Sequence, residues 1–475
     1  MPTPRIAVIG GGIAGLAAAW ELAPAARRGA VDVELFEAQE RLGGAVCTDR
    51  GDGGIIEGGP DSFLARKPEA LALAKEVGLE GSVIGVQRGG SYLLLRGRFR
   101  PLPPVGPSGL PADVRTFIRT DLLSPRAKLR AAADLLLPRT RALREGKDIA
   151  VGRFLERRLG REVVDHLAAP VAGGIHLTDI DELSLRATYP DLIRLEAEHR
   201  SLILGLRARK RSRTTGYPPP ASPFLTLRSG LASFVEALVE KLPPVKVWTH
   251  ARVAAIDRDL GGHYLVRVEG TGEERFDGAV ICIPAPGLVP LLPPSQKDWR
   301  RLLDRVHYSP VVVVGLAYRE EPKRVPFDRA GVMIAREETR VLAGISFPSQ
   351  KWGYAVPGGG TSVRAYLDVR STPSLMGLPD KDLLSRVGEE IHRVLGLEGK
   401  PFYARIFRHP AALPQYRVGH LELVQRIRAE AARWPGVSLA GALYDGIGLS
   451  DCIRSGRQGA RTVLASLGLR PGAPA

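Results

Sequence analysis

Apolar and polar positions fall into blocks that predict a mixed α/β protein. An apolar run at Arg5–Ile9 predicts a buried strand, and the apolar stretch after the glycines at 10–15 predicts a helix. Residues 31–37 (VDVELFE) predict a second strand. From residue 111 to about 171, apolar positions recur among arginines and lysines at helical spacing, which predicts a helical segment. The chain is therefore expected to be an α/β protein with a helical insert.

The rest of the chain alternates between strand-like and helical patterns. A hairpin is predicted at 91–103 and a strand–turn–helix at 225–240. Basic and proline-rich residues 207–220 predict a loop. Further strands are predicted at 245–257, 264–268, 279–283, 307–318, 362–369 and 437–441, and helices at 381–395 and from about Ser450.

The turn after the first strand carries chemistry. Its residues are Gly10, Gly11, Gly12, Ile13, Ala14 and Gly15, a G-x-G-x-x-G pattern. The first glycine permits a tight turn, the second admits a pyrophosphate to the backbone, and the third lets helix and strand pack closely. Glu37 ends the second strand about 20 residues later, where a ribose-binding carboxylate is expected. Together these features predict a Rossmann-like domain with a dinucleotide site at the helix N-terminus.

An extension of this motif points to the kind of dinucleotide. Glu37, Ala38, Arg41, Gly43, Gly44 and Ala45 belong to a stretch that resembles the E-x-x-x-R-x-G-G signature of the flavin-containing amine oxidase superfamily. The resemblance implies bound FAD, with Glu37 on the adenosine ribose and Arg41 and the glycines along the diphosphate and flavin. It also implies cofactor contacts from Gly59, Pro60, Asp61, Ser62, Val253 and His409.

A second glycine turn lies near the end of the chain. Gly446, Ile447, Gly448 and Leu449 follow a predicted strand and lead directly into a predicted helix. The N-terminus of that helix can stabilise negative charge as a flavin ring is reduced. Because flavin-type patterns stand at both ends, the cofactor domain is expected to be discontinuous. The predicted cofactor domain comprises 1–88, 225–288 and 405–475, the substrate-binding α+β domain 89–108, 172–224 and 289–404, and the helical insert 109–171.

The inner segments resemble one family within that superfamily. They include GPDSFLARKP from Gly59, SYLLLRGRFRPLP from Ser91 and DELSLRATYP from Asp181, and the chain is similar over nearly its whole length to the flavin-dependent porphyrinogen oxidases of haem synthesis. The resemblance implies a six-electron oxidation of a tetrapyrrole by O2 with release of hydrogen peroxide. Ser91 stands where membrane-type relatives carry an arginine, which favours the coproporphyrinogen III branch. Oxidation of protoporphyrinogen IX is the alternative.

Substrate residues follow from the anionic propionates of such a tetrapyrrole. The predicted partners are Arg66, Lys67, Arg96, Arg98, Gly174, Lys351 and Arg364. Two departures from the family pattern bear on substrate preference: His409 replaces a usual tryptophan, and His176-Leu177-Thr178 replaces an aromatic residue and a small pair. No side chain is predicted to be a catalytic base, and no metal site is predicted.

Composition leaves other classes open. Hydrophobic residues make up 44% and charged residues 25%, which is typical of a globular protein, and the formal net charge is +16. A basic surface also fits a flavoprotein that docks on nucleic acid or membrane without turnover, but no dense basic block supports nucleic-acid binding. Another amine oxidase or a desaturase is the second enzyme alternative.

Three scattered cysteines and no long apolar run favour a cytoplasmic protein with at most peripheral membrane contact. The sequence makes no prediction of oligomeric state.

Overall fold

The structure is a computed structural model that describes residues 2–104, 110, 114–213 and 222–470, with the backbone alone at 209–213. In chain order the strands are β1 (Arg5–Ile9), β2 (Asp32–Phe36), β3 (Thr48–Gly51), β4 (Gly54–Glu57), β5 (Phe63–Leu64), β6 (Val83–Gly85), β7 (Tyr92–Leu95), β8 (Arg98–Pro101), β9 (Phe224–Leu227), β10 (Lys246–Trp248), β11 (Val253–Arg258), β12 (Tyr264–Val268), β13 (Gly272–Phe276), β14 (Gly278–Ile281), β15 (Tyr308–Tyr318), β16 (Gly331–Ile334), β17 (Leu342–Ser346), β18 (Thr361–Leu367), β19 (Tyr403–Pro414) and β20 (Val437–Leu439).

The α-helices occur along the whole length of the described chain. In chain order they are α1 (Ile13–Arg27), α2 (Pro68–Glu76), α3 (Val114–Arg119), α4 (Pro125–Ala132), α5 (Arg141–Arg144), α6 (Val151–Leu159), α7 (Arg161–Val163), α8 (Ala169–His176), α9 (Leu185–Thr188), α10 (Pro190–His199), α11 (Leu202–Arg213), α12 (Ala232–Lys241), α13 (Ala285–Leu288), α14 (Lys297–Asp304), α15 (Pro348–Lys351), α16 (Asp380–Leu395), α17 (His420–Ala431), α18 (Ala442–Asp445) and α19 (Leu449–Ser466).

A five-stranded parallel sheet joins the two ends of the chain. Its strand order is β10-β2-β1-β14-β20, and every pair is parallel. Ile6 and Val8 of β1 belong to the core shared with α1 and α19, while Ala7 and Ile9 belong to the core on the opposite face. Both faces are thus covered, as buried parallel strands require. The predicted α/β class with a Rossmann-like sheet is confirmed.

The second large sheet has seven strands, in the order β19-β15-β18-β17-β16-β7-β8. Alternate residues of β7 enter different cores: Tyr92 and Leu94 pack with α16, whereas Leu93 and Leu95 pack with the helical region. The period of two along a strand produces this division. The large sheet therefore lies between α16 and the helices of the central part of the chain.

The helical region is built around a buried ionic network. Arg158 of α6 is fully buried, and its Nε lies 2.7 Å from the carboxylate of Asp134, which is equally buried. Glu196 of α10 is 3.5 Å from Arg158 and accepts hydrogen bonds from Thr140. Pairing of this kind offsets much of the cost of removing charges from water.

The helical prediction for 111–171 is confirmed from Val114 onward; residues 111–113 lie outside the described part. The loop prediction for 207–220 is wrong at 207–213, because α11 continues to Arg213, and residues 214–220 lie outside the described part. Long arginine and lysine side chains cost a helix little, so a basic run alone does not end one. Within 2–104, 114–213 and 222–470, no helix is long and apolar enough to cross a bilayer.

Candidate active site

The first glycine turn is built so closely that side chains are excluded. Gly10 has φ +103°, which favours glycine, and its N–H donates to the Phe36 carbonyl at 2.8 Å. A Cβ on Gly15 would lie 1.8 Å from the Gly10 carbonyl oxygen, and one on Gly11 would lie 2.4 Å from Leu42 Cδ2. Glycine is thus required at these positions by close contacts within the turn and with the segment that follows β2.

The N-terminus of α1 has no side-chain cap. Gly12 is its N-cap and offers no side-chain acceptor, so the first-turn N–H groups, including those of Ile13 and Ala14, lack a side-chain cap. Gly43 pairs with Gly12 in a parallel bridge, and a Cβ on Gly44 would lie 3.2 Å from Gly12 Cα. Two bare backbone segments therefore face each other at a helix N-terminus, a cradle suited to a diphosphate.

Glu37 and Arg41 border this cradle. One carboxylate oxygen of Glu37 accepts from the Gly11 N–H and the other from the Gln39 N–H, both at 2.8 Å. Each oxygen retains a lone pair for a ribose hydroxyl. Arg41 donates to the Gly44 carbonyl at 2.6 Å and is otherwise exposed, so it braces the paired glycines.

The residues predicted to contact the adenosine lie beside Glu37. The Ala251 N–H donates to the Glu37 carbonyl at 2.8 Å, two residues before Val253, which is buried at the start of β11. Ala38 follows Glu37 directly and is half-buried. The structure therefore brings Val253 near the end of β2, as the predicted site requires.

The last glycine turn presents a second uncapped helix N-terminus. Gly446 has φ +127°, and Gly448 is the N-cap of α19 without a side-chain acceptor. A short helix, α18, stands between β20 and this turn, so the expected direct passage from strand to glycine turn is wrong. Ile447 packs against the helical core, and Leu449 packs in the core around α1.

Helix α19 packs closely against the backbone at the start of α1. A Cβ on Gly456 would lie 2.0 Å from the carbonyl oxygen of Ala14. Since Leu449 begins α19 seven residues earlier, at 1.5 Å per residue the second N-terminus lies about 10 Å along α19 from this contact. Each of the two uncapped helix N-termini favours a negatively charged group.

Three charged side chains meet beside the start of α19. Asp451 is buried and is bound by Lys67 Nζ and, at 2.8 Å, by Arg454 Nη2. A Cβ on Gly446 would lie 2.7 Å from the Asp451 carboxyl carbon. Lys67, predicted as a propionate partner, therefore has a carboxylate partner within the protein; its role toward substrate stays a prediction.

A strip of backbone at Gly58 and Gly59 adjoins the Gly43–Gly44 turn. A Cβ on Gly59 would lie 1.8 Å from the Ala45 carbonyl oxygen. His409 Nε2 lies 2.9 Å from the Gly58 carbonyl oxygen, and Arg364 donates to the Gly59 carbonyl. Burial lowers the pKa of His409, so its imidazole is neutral near pH 7 and donates this hydrogen bond. Two strands of the large sheet thus hold the strip in place.

Asp61 lies at the end of this strip in a cationic setting. Its carboxylate accepts from Lys351 Nζ at 2.7 Å and from Ser62 Oγ at 2.8 Å, and Arg364 lies 3.6 Å away. Burial opposes ionisation, but the Lys351 and Arg364 charges outweigh it and hold the pKa of Asp61 well below its ordinary value. Pro60, next in the strip, is half-buried.

Glu57 is a buried carboxyl that the sequence pattern did not single out. It accepts from the Leu231 N–H at 2.7 Å and from Thr48 Oγ1 at 2.8 Å. Burial raises its pKa to about 7 although both hydrogen bonds act the other way. The only signal in the sequence was an acidic residue at the end of an apolar strand.

The remaining predicted substrate residues are exposed. Arg96 and Arg98 flank Gly97 in the β7–β8 turn, Arg66 precedes Lys67, and Gly174 lies in α8. His176 ends α8 with its ring 5.7 Å from that of Tyr189, and burial lowers its pKa to about 4. The propionate role of the arginines stays a prediction.

The glycine cradles fit a flavin nucleotide, and similarity to known proteins agrees. The model of the family "Flavin containing amine oxidoreductase" matches residues 13–464. The chain is 34% identical to the coproporphyrinogen III oxidase of Bacillus subtilis (strain 168) over 98% of both chains. It is 33% identical to that of Staphylococcus aureus (strain NCTC 8325 / PS 47) over 98% of this chain and 100% of the relative.

A solved structure from Exiguobacterium sp. 255-15, described as a candidate protoporphyrinogen oxidase, superimposes with a TM-score of 0.86 at 31% identity, covering 98% of this chain and 100% of that one. This chain therefore belongs to the flavin-containing amine oxidoreductase family. It is an oxidoreductase with a flavin cofactor, and the predicted resemblance to porphyrinogen oxidases is confirmed over its full length.

Proposed function

We propose that this protein binds FAD and oxidises coproporphyrinogen III to coproporphyrin III, using O2 and releasing hydrogen peroxide, as a step of haem synthesis. The substrate loses six hydrogens, and three O2 become three H2O2, so electrons and atoms balance. The observation that carries the proposal is the pair of uncapped helix N-termini, on α1 and α19, two helices that pack against each other at Ala14 and Gly456. The full-length similarity to coproporphyrinogen III oxidases supports the choice of substrate.

FAD, when bound, supplies a hydride acceptor that O2 can reoxidise. The N–H groups at the start of α1, with Gly12 and Gly44, hold its diphosphate, and Glu37 accepts from a ribose hydroxyl. The N-terminus of α19 stabilises negative charge that develops during hydride transfer. FAD rather than a smaller flavin is supported because the site pairs a ribose-binding acid with a diphosphate cradle.

Proton movements need no dedicated side-chain base in this proposal. His176 and His409 have lowered pKa values because they are buried, and His409 is committed to the Gly58 carbonyl. Pyrrole nitrogens and water exchange protons instead, while the protein positions the macrocycle and limits access of bulk water.

Recognition of the propionates is assigned to exposed cations. Arg66, Arg96 and Arg98 have exposed side chains, whereas Lys351, Arg364 and Lys67 already contact carboxylates of the protein, Asp61 or Asp451. The four propionates of coproporphyrinogen III, against two in protoporphyrinogen IX, match a strongly basic protein with a net charge of +16.

The proposed domains follow the segments given above, with one extension. Leu185, Leu192, Leu195 and Leu202 pack in the same core as the helices of 114–171. We therefore propose that the helical unit continues to Arg213 rather than ending at 171.

The proposed location is the cytoplasm, where the unpaired thiols of Cys47, Cys282 and Cys452 stay reduced. Membrane contact in this proposal is peripheral and is made by the helical unit, which exposes Leu129 and Leu136 among arginines. Cosedimentation with anionic vesicles tests this: binding that weakens with salt supports it, and no binding at low salt refutes it.

The experiment that tests the function is a steady-state comparison of two substrates. The purified protein is expected to be yellow, with one FAD per chain, and to convert coproporphyrinogen III to a fluorescent porphyrin in air with matching peroxide release. A much higher kcat/KM for protoporphyrinogen IX would overturn the choice of substrate. Oxidation of amines but not porphyrinogens would favour the amine oxidase alternative.

A further inference from the structure

Three ionised side chains from distant parts of the chain meet beside the Gly58–Gly59 strip. Asp61 follows the strip, Lys351 ends α15, and Arg364 lies in the middle of β18. Lys351 Nζ is 2.7 Å and Arg364 Nη1 is 3.6 Å from the same oxygen of Asp61. The exposed fractions of these side chains are 12% for Asp61, 18% for Lys351 and 1% for Arg364. We call these three residues the charge triad.

The charge triad carries one positive charge in excess. Two cations face one carboxylate, and Glu57 is a further carboxyl whose charge acts on Arg364. Burial raises the pKa of Glu57 to about 7, so this carboxyl is only partly ionised near neutral pH and does not complete the compensation. An uncompensated buried charge acts over a longer distance than one in water.

The orientation of the triad is fixed by further contacts. The Arg364 guanidinium donates to the Gly59 carbonyl and to the Tyr366 hydroxyl, and it lies 4.8 Å from the Tyr366 ring centre. Lys351 Nζ lies 4.8 Å from the centre of the Trp352 ring. Charges held in this way need not reorganise when charge changes nearby, which is the condition for effective electrostatic stabilisation.

The triad adjoins the cofactor side of the site. Arg364 binds the Gly59 carbonyl directly, and Gly59 in turn packs on Ala45, next to the paired glycines that face Gly12. A flavin gains negative charge when it accepts a hydride. Positive charge near the ring favours the reduced form, and negative charge disfavours it.

We propose that the charge triad sets the reduction potential of the flavin: Lys351 and Arg364 raise it, and Asp61 limits that rise. The three residues are positioning residues, since they act on the cofactor through their charges. The proposal rests on flavin binding, part of the proposed function, but not on the identity of the substrate.

Two near-isosteric variants with opposite charge changes test this. Asp61→Asn removes the anion and is expected to raise the two-electron midpoint potential, measured anaerobically against reference dyes without substrate. Lys351→Met removes a cation and is expected to lower it. Each shift should correspond to about a tenfold change in the ratio of reduced to oxidised flavin, or about 30 mV.

The control is Lys323→Met, which removes the same charge from an exposed salt bridge with Glu398 and should leave the potential unchanged. Arg364→Lys retains the charge and should shift the potential less than Lys351→Met does. Shifts of the same sign in Asp61→Asn and Lys351→Met, or none in either, overturn the proposal. If Asp61→Asn does not fold, Lys351→Met decides alone, because an unchanged potential refutes the role of the triad.

Failure of the proposed function gives different results. A wild-type protein that does not take up FAD refutes the cofactor assignment before any potential is measured. A protein that binds FAD but does not oxidise porphyrinogens refutes the substrate, while the potentials still test the triad.

Discussion

Gly456 of the last helix lies directly against Ala14 of the first helix, so that a Cβ on Gly456 would stand 2.0 Å from the Ala14 carbonyl oxygen. This contact joins two segments from opposite ends of the chain. It also sets how far the N-terminus of α19 lies from that of α1, and hence how an extended cofactor can be bound at both. Packing between these helices therefore determines the geometry of the site.

Gly456→Ala is expected to separate the two helices, because the added methyl group meets backbone that cannot rotate away. We expect the free energy of unfolding to fall by about 1–3 kcal/mol, together with weaker FAD retention. Urea denaturation and flavin content after gel filtration measure the two effects. Gly388→Ala, in α16 with open space around its Cα, is the matched control and should stabilise the protein by about 0.5–1 kcal/mol. Equal stabilisation by both substitutions would contradict the packing argument.

Gly12→Val is expected to block the cofactor without unfolding the chain. A Cβ at this position has Gly44 Cα as its nearest neighbour at 4.0 Å, so it meets no close contact in the apoprotein, whereas the branched side chain would occupy the diphosphate cradle. We expect FAD affinity to fall about hundredfold or more, equal to about 3 kcal/mol, while the melting temperature of the apoprotein stays nearly unchanged. Fluorescence titration with FAD measures the affinity, with Gly81→Ala as a control in open space. If Gly12→Val binds FAD with wild-type affinity, the diphosphate is not held in the glycine cradle.

Glu57 should make stability depend on pH in an unusual direction. Burial raises its folded pKa from an ordinary 4.5 to about 7, so between these values the folded state binds more protons than the unfolded state. The contribution of Glu57 to the free energy of unfolding is therefore fully present below about pH 4.5. It is lost as pH rises from 4.5 to 7, a fall of about 3 kcal/mol in total.

Glu57→Gln mimics the protonated acid and should remove this fall. Urea denaturation at pH 5 and pH 7.5 compares the two proteins: the stability difference, variant minus wild type, should grow with pH. A difference that is the same at both pH values would show that Glu57 does not titrate in this range.

Much of the fold, and the glycine turns of the proposed cofactor site, could be predicted from local sequence motifs. The glycine turn at 10–15 and the strands around it depend on neighbours in sequence, and both are found as expected. The partners of Lys67 and Lys351 could not be predicted, because Asp451 is 384 residues from Lys67 and Asp61 is 290 residues from Lys351. Pairing across such distances is decided by the tertiary fold, which periodicity does not encode. The same holds for α11, where packing of Leu202 in the helical core continues a helix into a basic stretch.

Lys67 and Asp451 should be energetically coupled, because Asp451 is buried and needs its cationic partners. Lys67→Met leaves that carboxylate with Arg454 alone and should destabilise the protein by about 1–3 kcal/mol. Asp451→Asn removes the charge that requires compensation, so adding Lys67→Met to it should cost less. A double-mutant cycle from urea denaturation is expected to give a coupling energy of about 1 kcal/mol or more.

The exposed pair Arg141 and Glu145, four residues apart in one helical turn, provides the comparison and should couple by about 0.3–0.5 kcal/mol. If the Lys67–Asp451 cycle gives no more than this surface pair, the buried carboxylate does not depend on Lys67. Lys67 would then be free to meet a substrate propionate, as the sequence predicted. A coupling clearly above the surface value, with unchanged KM for coproporphyrinogen III in Lys67→Met, would instead assign the lysine to the start of α19.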